Sequence, residues 1–526
     1  MQKKLYLCAD LILAQMKKHF SVGLMLLVAC VAFAQTHIQI SDDPNSWSAS
    51  SALYPYIGET VIFDSPIVVS SNASSTLTVG PWRVFVPECQ GLPGSVQYNT
   101  TVRINSACTF SLSGVSGYHR CGEKIYNLKA KVDSSTSVTF VDGEWRGNKR
   151  ADLEAGLPDL GDYRLLVCGF NLENYFVEHL GKSYLGANSY AEHQDQRAKI
   201  STALKKINAD IFGLVELEQG NKAIEEIVND LNSNLPERNY KYFKDATPGS
   251  SQKVDYVYDA NVVEPIGTPV ENNTELHYRK KMLCFRERAT GEKFIYSINH
   301  FKSMNTGGAD RRLNEAKSVV DEYYKYRNNR NVRDNDILIM GDLNCYAMTA
   351  PILYFTNQSF MDLHRAFHAD SSYSYMFGGQ ASYIDHAISS ESLYRQVTGM
   401  AAYTINSDED DDYNYQKSSD LSMFRCSDHD PVLVGLKLDS TLSLSFEPYI
   451  NTADILKGGD NKMVIQNAFV TNETSYYAIY RITGQLIKQG EIASSVHEVT
   501  LPEEPGVYIV YIYHKGQTYK RKLIVR

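Results

Sequence analysis

Apolar residues recur with two different spacings through the middle of the chain. From Tyr163 to Leu436, strand-like runs such as "ILIMGDLN" alternate with stretches such as "SYAEHQDQRAKISTALKKI" and "GGADRRLNEAKSVVDEYYKYRNN", which have helical spacing. Strands that alternate with helices are typical of sheets covered by helices. The pattern therefore predicts an α/β domain over residues 160–437.

The segments on either side of this domain carry mainly the strand-like pattern. Before it, short runs rich in Val, Thr and Ser alternate with turn residues, as in "STLTVGPWRVFVP". This pattern predicts a small β barrel or sandwich over residues 35–156. After Asp439 the same texture returns, so a β domain is expected over residues 440–526. The predicted fold class is multidomain, with an α/β domain between two β domains.

The N-terminal residues have the pattern of an export signal. In "MKKHFSVGLMLLVACVAFAQ" a basic start is followed by an apolar run and by Ala-Phe-Ala. We expect a signal peptide over residues 1–34, cleaved before Gln35, and "LVAC" at Leu27–Cys30 is an alternative lipoprotein site. No later segment approaches the ~18 uninterrupted apolar residues of a membrane span. We therefore expect a secreted monomer with no integral membrane segment.

Composition fits a soluble protein and limits how it would bind a polyanion. Hydrophobic residues make up 43% of the 526 residues, and the net charge is −9. That charge argues against coating of nucleic acid by bulk electrostatics, but it allows an enzyme that grips one phosphodiester through a local basic patch. Arg311 opens a predicted helix in such a patch, and we expect it to contact phosphate. The acidic run "DEDDD", Asp408–Asp412, is interpreted as solvated charge, with a structural Ca²⁺ as the alternative.

Six apolar runs of the α/β segment end in, or follow, polar side chains of similar chemistry. Strand ends of an α/β sheet meet at one edge, where ligands usually bind. Carboxylates, amides and imidazoles recur there without a thiolate cluster, which predicts a site for a hard cation such as Mg²⁺, Mn²⁺ or Ca²⁺. Such a site fits hydrolysis of a phosphate ester. The residues are Asn171, Glu216, Asn299, His300, Asp342, Asn344, Asp385, Asp428 and His429, with Glu218 interpreted as an exposed charge.

The ordered set of motifs resembles the endonuclease/exonuclease/phosphatase family, which includes deoxyribonuclease I. The motifs are "FNLEN", "VELE", "NHFKS", "GDLNCYA", "YIDHAIS" and "SDHDP", and they most resemble a branch of secreted bacterial nucleases. The resemblance implies a four-layer α/β sandwich, Mg²⁺ (Mn²⁺ being possible as a substitute) and a nucleic-acid substrate, with DNA expected. It also implies that the N-terminal β segment is similar to an oligonucleotide-binding (OB) barrel.

The resemblance implies a role for each motif residue. Glu216 and Asp428 would bind the metal, and Asp428 could instead orient the nucleophile. Asn171 and Asn344 would hold the scissile phosphate, and Asp342 would orient or deprotonate the attacking water. His429 would contact the phosphate as an acid or base, and Asp385 would hold its tautomer. His300 matches a second catalytic histidine, and Asp342, Asn344 and Asp428 also count as catalytic residues.

The C-terminal segment resembles a different kind of domain. "IYRITGQLIKQG" and "GVYIVYIYHKGQTYKRKLIVR" are similar to the sorting domain of type IX secretion in Bacteroidetes, with a generic immunoglobulin-like module as the alternative. The resemblance implies the type IX secretion machinery as a partner.

The predicted function is that of a secreted, divalent-metal-dependent nuclease that acts as an endonuclease on DNA. Two other functions compete with it. The first is a phosphodiesterase or phosphatase acting on lipid headgroups or nucleotides. The sequence shows no apolar membrane-docking hairpin that would favour a lipid substrate. The second is a non-catalytic surface binding module, which predicts at least one replaced motif residue, whereas all of them are present.

Overall fold

The fold is taken from a computed structural model that describes most of the chain. The described residues are 36–40, 47–72, 76–81, 83, 85–86, 106–181, 186–245, 249–271, 279–304, 308–368, 371–377, 379–439, 454–457, 462–466, 475–481, 485–492, 496–502, 504–514 and 517–525. The predicted signal peptide lies outside them. Within these ranges no helix is long and apolar enough to cross a membrane.

The first compact unit comprises Met1–Arg83 and Ile104–Gly147. Its elements are β1 (Thr36–Ile38), α1 (Ala49–Leu53), β2 (Thr60–Phe63), β3 (Ile67–Ser71), β4 (Leu77–Gly80), β5 (Phe110–Ser113), β6 (Lys124–Ser134) and β7 (Ser137–Arg146), with 3₁₀ turns at Tyr54–Tyr56 and Ser106–Cys108. The strands run in the order β1-β2-β6-β3-β4-β5-β7, and β6 also pairs with β7. This extra pairing closes a ring of five strands. Alternate apolar residues of these strands form one core.

The second unit comprises Val84–Arg103 and Asn148–Arg526, and the predicted α/β segment falls within it. The helices of that unit are α2 (Arg150–Ala155), α3 (Tyr190–Ile207), α4 (Lys222–Asn234), α5 (Ala309–Tyr326), α6 (Ala350–Asn357), α7 (Leu363–His368) and α8 (Glu391–Tyr394). Its strands are β8 (Leu165–Tyr175), β9 (Ile211–Glu218), β10 (Tyr240–Tyr242), β11 (Gln252–Asp259), β12 (Val263–Glu271), β13 (Lys280–Glu287), β14 (Lys293–His300), β15 (Ile337–Asp342), β16 (Met361–Asp362), β17 (Tyr375–Phe377), β18 (Gln380–Ser382), β19 (Asp385–Ser389), β20 (Val397–Ala402) and β21 (Val432–Leu436). The two helices with clear helical spacing, α3 and α5, confirm the prediction from the sequence.

Two six-stranded sheets form the centre of the α/β segment. Their strand orders are β10-β11-β9-β8-β21-β20 and β12-β13-β14-β15-β19-β16. Apolar residues from both sheets, such as Val167 and Met340, share one core between them. A second core joins α3 and α4 to the first sheet, and a third joins α5 and α6 to the second sheet. The layers are therefore helix, sheet, sheet and helix, because each sheet buries both faces.

The topology brings particular strand ends to one edge. In the first sheet β8 is parallel to β9 and antiparallel to β21. In the second sheet β14 is parallel to β15, which is antiparallel to β19. The carboxyl ends of β8, β9, β14 and β15 therefore lie at the same edges as the amino ends of β19 and β21.

The acidic run near residue 408 is held by an arginine of α2. Arg150 donates to Glu409 at 3.1 Å and to Asp420 at 2.9 Å, and its guanidinium lies over the rings of Tyr413 and Phe424. Glu409 is 5% exposed and Asp408 is fully buried. The interpretation of the whole run as solvated charge is therefore wrong for these two residues, because they are enclosed by the chain around Arg150.

The C-terminal residues form two further sheets. Their strands are β22 (Asp454–Lys457), β23 (Lys462–Gln466), β24 (Ser475–Arg481), β25 (Leu486–Ile492), β26 (Val496–Thr500), β27 (Gly506–His514) and β28 (Gln517–Val525). The strand orders are β22-β23-β26 and β25-β24-β27-β28. Side chains from both sheets, including Ile465 and Val510, share one apolar core.

Candidate active site

The end of β15 places two polar side chains through a tight turn. The backbone N–H of Asn344 donates to Asp342 Oδ1 at 2.8 Å, and its side-chain Nδ2 donates to Asp342 Oδ2 at 3.1 Å. Asn344 has a positive φ of 48°, which asparagine tolerates well. The strand end and the Asx-type turn together bring both groups to the same point.

A hydrogen bond joins the two central sheets at this point. Asn171, in β8, donates from Nδ2 to Asp342 Oδ2 at 3.1 Å. The backbone oxygen of Asn171 accepts from Ser427 Oγ at 2.7 Å, which ties the segment before β21 to β8. The predicted convergence of strand ends from different parts of the sequence is confirmed by these contacts.

His429 is coupled to a buried carboxylate. Its Nδ1 lies 2.8 Å from Asp385 Oδ2, and its Nε2 lies 4.0 Å from Asp342 and 3.8 Å from Asp428. Ser374 Oγ donates to the same oxygen of Asp385 at 2.8 Å. Burial alone would lower the pKa of His429, but the charges of Asp385, Asp428 and Asp342 together raise it well above its ordinary value. The imidazole therefore holds its proton at neutral pH.

His300 has a different environment from His429. Its Nε2 lies 3.6 Å from Glu216 Oε1 and 3.7 Å from Asp342 Oδ2, and its buried Nδ1 has no hydrogen-bond partner among the described residues. Burial and the nearby charge of Arg279 lower the pKa of His300 to about 3. The ring is therefore neutral at neutral pH.

Burial and nearby carboxylates raise the pKa values of three acidic side chains of the site. Burial and then the charge of Asp428 raise the pKa of Glu216 to about 7, and the same two causes raise the pKa of Glu173 well above its ordinary value. Burial also raises the pKa of Asp342 to about 8, although His429 opposes the shift. Such crowded carboxylates are stabilised in their charged form by a bound cation.

The donor atoms of the site fit a divalent cation. One ligand atom each from Glu216, His300 and Asp342 lie within 4.8 Å of one another, and a second such group is Asp342, Asp385 and His429. In addition, Glu173 Oε2 is buried and has no hydrogen-bond partner among the described residues. Carboxylate oxygens are the ligands that Mg²⁺ and Mn²⁺ prefer. The residues present are therefore suited to hold such an ion.

Two other predicted site residues lie at the margin of these clusters. The side chain of Asp428 is 32% exposed, and it acts on Glu216 through its charge. Arg311 donates to Glu315 Oε1 at 3.1 Å, and the same oxygen accepts from Arg279 at 2.9 Å. The structure thus joins Arg311 to an ion-pair cluster beside the site.

The interpretation of Glu218 as an exposed charge is wrong. Glu218 is 1% exposed and accepts the backbone N–H groups of Val177 and Glu178, each at 2.7 Å. It also contacts His179. Its carboxylate satisfies the turn that follows β8, so its burial is structural.

Three residues near the reacting groups were missed by the sequence reasoning. Glu173 stands two positions after Asn171 in "FNLEN", so the spacing could have indicated it. Ser374, which supports Asp385, carried no sequence signal. Tyr375 forms an isolated β-bridge with His429 and packs its ring 4.7 Å from the imidazole, measured between centroids.

Residues 169–429 match the Endonuclease/Exonuclease/phosphatase family. The match supports the assignment of this segment to that family. The match spans all the predicted site residues from Asn171 to His429. Endonuclease/exonuclease/phosphatase enzymes are phosphodiester hydrolases for which metal dependence is typical, and this chain is an enzyme of that class.

Solved structures similar to this endonuclease/exonuclease/phosphatase segment cover about half of the chain. An endonuclease/exonuclease/phosphatase from Bacteroides vulgatus is 16% identical and covers 52% of this chain and 99% of its own, with a TM-score of 0.38. The mannosyl-6-phosphatase of Bacteroides thetaiotaomicron is 17% identical and covers 52% and 100%, with a TM-score of 0.37. D. rerio TDP2 complexed with a single-strand DNA product is 14% identical and covers 52% and 99%, with a TM-score of 0.37. A search of the curated proteins finds no match.

Proposed function

We propose that the protein is a secreted, divalent-metal-dependent nuclease that hydrolyses phosphodiester bonds of DNA. The observation that carries the proposal is the convergence of Asn171, Asp342 and the His429–Asp385 couple at one point where the two sheets meet. These groups supply amide donors, a carboxylate and a charged imidazole, which together suit attack of water on a phosphate ester.

The reacting phosphate lies between the amides and His429. The Nδ2 groups of Asn171 and Asn344 both donate to Asp342 Oδ2, at 3.1 Å each, and hold that carboxylate in one orientation. Asp342, in the charged form that a bound cation would stabilise, accepts the proton of the attacking water. As the bond from the water oxygen to phosphorus forms, the bond to the leaving oxygen breaks, and His429 donates its proton to that oxygen, which departs as a hydroxyl group.

Glu216 and Glu173 would hold the divalent cation, with Asp428 at the edge of the same acidic group. Mg²⁺ is the expected ion, and Mn²⁺ suits the same oxygen ligands. When bound, the ion supplies positive charge that stabilises the phosphoryl oxygens. Neutral His300 lies against Glu216 and Asp342, where it orients them rather than transferring a proton.

The charge beside the site favours a polyanionic substrate. Burial lowers the pKa of His300 most, and the charges of Arg279, His429 and Lys302 lower it further, so two basic side chains place positive charge on one side of the acidic cluster. A polynucleotide presents several phosphates to such a surface, whereas a single phosphomonoester presents one. The choice of DNA rests on the resemblance to secreted nucleases.

Plasmid nicking tests the proposed activity. We expect supercoiled plasmid to be nicked with Mg²⁺ and spared with a chelator, and Asp342→Asn to lower the rate by about 10²–10⁴-fold. Asp321→Asn, on the exposed face of α5, is the matched control and should cut like the wild type. An intact plasmid beside rapid hydrolysis of a lipid headgroup or nucleotide ester would reverse the substrate assignment.

We also propose roles for the flanking segments. Residues 1–34 direct export, and residues 440–526 form a sandwich recognised by the type IX secretion machinery. The two sheets that share one core support this proposal. Deletion of residues 440–526 should retain the enzyme inside the outer membrane, as measured by nuclease activity in cell fractions, and equal release of both forms would contradict it.

The ring of β3, β4, β5, β7 and β6 supports the proposal of an OB-like N-terminal barrel. Oligonucleotide-binding folds are five-stranded Greek-key barrels. The parallel pairing of β5 with β7 is compatible with that topology. A titration of the isolated barrel with single-stranded oligonucleotide would test whether it binds nucleic acid.

A further inference from the structure

A two-stranded hairpin extends from the catalytic histidine. The strands β17 and β18 pair from Tyr375↔Ser382 to Phe377↔Gln380. At the base of the hairpin, Ser374 donates to Asp385. The backbone N–H of Asp430 donates to the oxygen of Ser374 at 2.8 Å. The hairpin is thus fixed to both members of the His429–Asp385 couple.

The hairpin presents an aromatic side chain to solvent. Phe377 is 73% exposed, the largest fraction among large apolar side chains in the part of the chain that the structure describes. Single exposed apolar residues are common on protein surfaces. The position of this one is what distinguishes it, because residues i and i+2 of a strand point to the same face. Phe377 therefore shares a face with Tyr375, whose ring packs against His429.

The spacing along the strand sets the distance between Phe377 and Tyr375. Two residues of strand advance about 6.5 Å. Phe377 therefore lies about 6.5 Å beyond Tyr375 along the strand. At that distance it could contact the nucleotide next to the reacting phosphate. The isolated bridge and the ring contact with His429 hold Tyr375 at the site.

The hairpin is braced from its other edge. The backbone N–H of Val86 donates to the oxygen of Ala381 at 2.9 Å, and Phe85 forms a parallel bridge with Ala381. This additional pairing keeps β18 in place, so the side chain of Phe377 is held on a supported strand.

We propose that Phe377 is a stacking platform for the nucleobase adjacent to the scissile phosphodiester. This inference rests on the proposed nuclease function and deepens it. A base that stacks on a side chain must leave its own stack, so the substrate class is single-stranded or locally unpaired polynucleotide. A nucleobase fits better than a bilayer, since the cross-strand neighbour of Phe377 is the exposed, polar Gln380 and membrane-docking surfaces combine several apolar residues.

Cleavage of a defined oligonucleotide tests the platform. Stacking of one base on an aromatic side chain stabilises binding. Phe377→Ala should therefore raise KM for single-stranded oligonucleotide by about 5- to 100-fold. Phe377→Trp should restore the wild-type value. Tyr190→Ala is the matched control, because Tyr190 is 70% exposed at the start of α3 and should leave KM unchanged.

An oligonucleotide with an abasic residue beside the cleaved bond isolates the contact. The KM of the wild type should rise on this substrate by as much as the KM of Phe377→Ala rises on the intact one. On the abasic substrate, Phe377→Ala should then have the same KM as the wild type. An equal effect of Phe377→Ala on both substrates would overturn the inference, as would wild-type KM for Phe377→Ala.

A separate measurement distinguishes the other outcomes. If the wild type sediments with phosphatidylcholine–phosphatidylserine vesicles and Phe377→Ala does not, the side chain serves membrane docking. That result would overturn the inference. Failure of the wild type to cut any polynucleotide would contradict the proposed function itself. Cutting by the wild type that does not depend on Phe377 would contradict the platform alone.

Discussion

At the scale of single residues, the site contains two histidines whose pKa values are shifted in opposite directions. His429 gains a proton because Asp385 lies 2.8 Å from its Nδ1. His300 loses its proton because its Nδ1 is buried without a partner among the described residues and Arg279 is nearby. The same side chain type therefore serves as a charged donor in one place and as a neutral group in the other.

Asp385→Asn removes the charge of Asp385 and keeps the shape of its side chain, so it tests the role of the charge alone. Loss of the carboxylate lowers the pKa of His429, so the alkaline limb of the pH–rate profile should move to lower pH, and kcat should fall by about 10²–10⁴-fold. The profile on plasmid DNA measures both effects. An unchanged alkaline limb would mean that His429 is not the group that titrates, and Asp321→Asn again serves as the control.

At the scale of elements, the end of β15 depends on a glycine. Gly341 has a φ of 120°, and a Cβ added there would lie 2.0 Å from the backbone oxygen of Asn299 in β14. The close approach of β14 and β15 positions His300 beside Asp342, since these two residues are paired in the ladder. The geometry of the site therefore begins in the backbone.

Gly341→Ala should damage both folding and activity. The clash with β14 adds to the strain of a positive φ, so we expect a loss of about 3 kcal/mol or more in the free energy of unfolding, measured in urea. Gly267→Ala is the control, because Gly267 also has a positive φ but has no atom within 4 Å of an added Cβ. It should cost about 1 kcal/mol. Equal losses for the two variants would contradict the steric explanation.

The attachment of α2 to the acidic run gives a second prediction at this scale. Arg150→Ala leaves the buried carboxylate of Glu409 without its main partner, so the free energy of unfolding should fall by about 2–4 kcal/mol. Arg395→Ala removes an exposed i,i+4 pair with Glu391 and should cost less than about 0.5 kcal/mol. Urea denaturation compares the two, and similar losses would show that the Arg150 pairs contribute little.

At the scale of the whole molecule, the crowded carboxylates couple stability to pH and to cations. The pKa values of Glu216 and Asp342 are raised to about 7 and about 8, so the folded state binds more protons than the unfolded state above their ordinary values. Stability without metal must then fall as pH rises through that range. His429 acts in the same direction, because its raised pKa contributes stability that is lost as it deprotonates.

Thermal unfolding at two pH values tests this coupling. Without metal, Tm should be lower at pH 8.5 than at pH 6.5, by the equivalent of roughly 2 kcal/mol. Mg²⁺ should raise Tm more at pH 8.5, because it binds the deprotonated carboxylates. Glu216→Gln should reduce both effects, whereas the exposed control Glu391→Gln should not. A Mg²⁺ effect independent of pH and of Glu216 would refute the assignment.

The sequence by itself determined the types of element and the chemistry at their ends. Apolar spacing is a local property, so α3, α5 and the strand before Asp342 could be predicted from their own residues. The ordered polar endings likewise identified Asn171, Glu216 and His429 as members of one site.

Only the tertiary structure decided how those groups act on one another. The pKa of His429 depends on Asp385, which lies 44 positions away, and the burial of Glu218 depends on the turn that folds over it. The bridges that hold the hairpin of Phe377 next to the site, from Ala381 to Phe85 and from Tyr375 to His429, are likewise non-local. Burial, charge and register arise from contacts between distant segments, and a single sequence does not encode these distances in any local pattern.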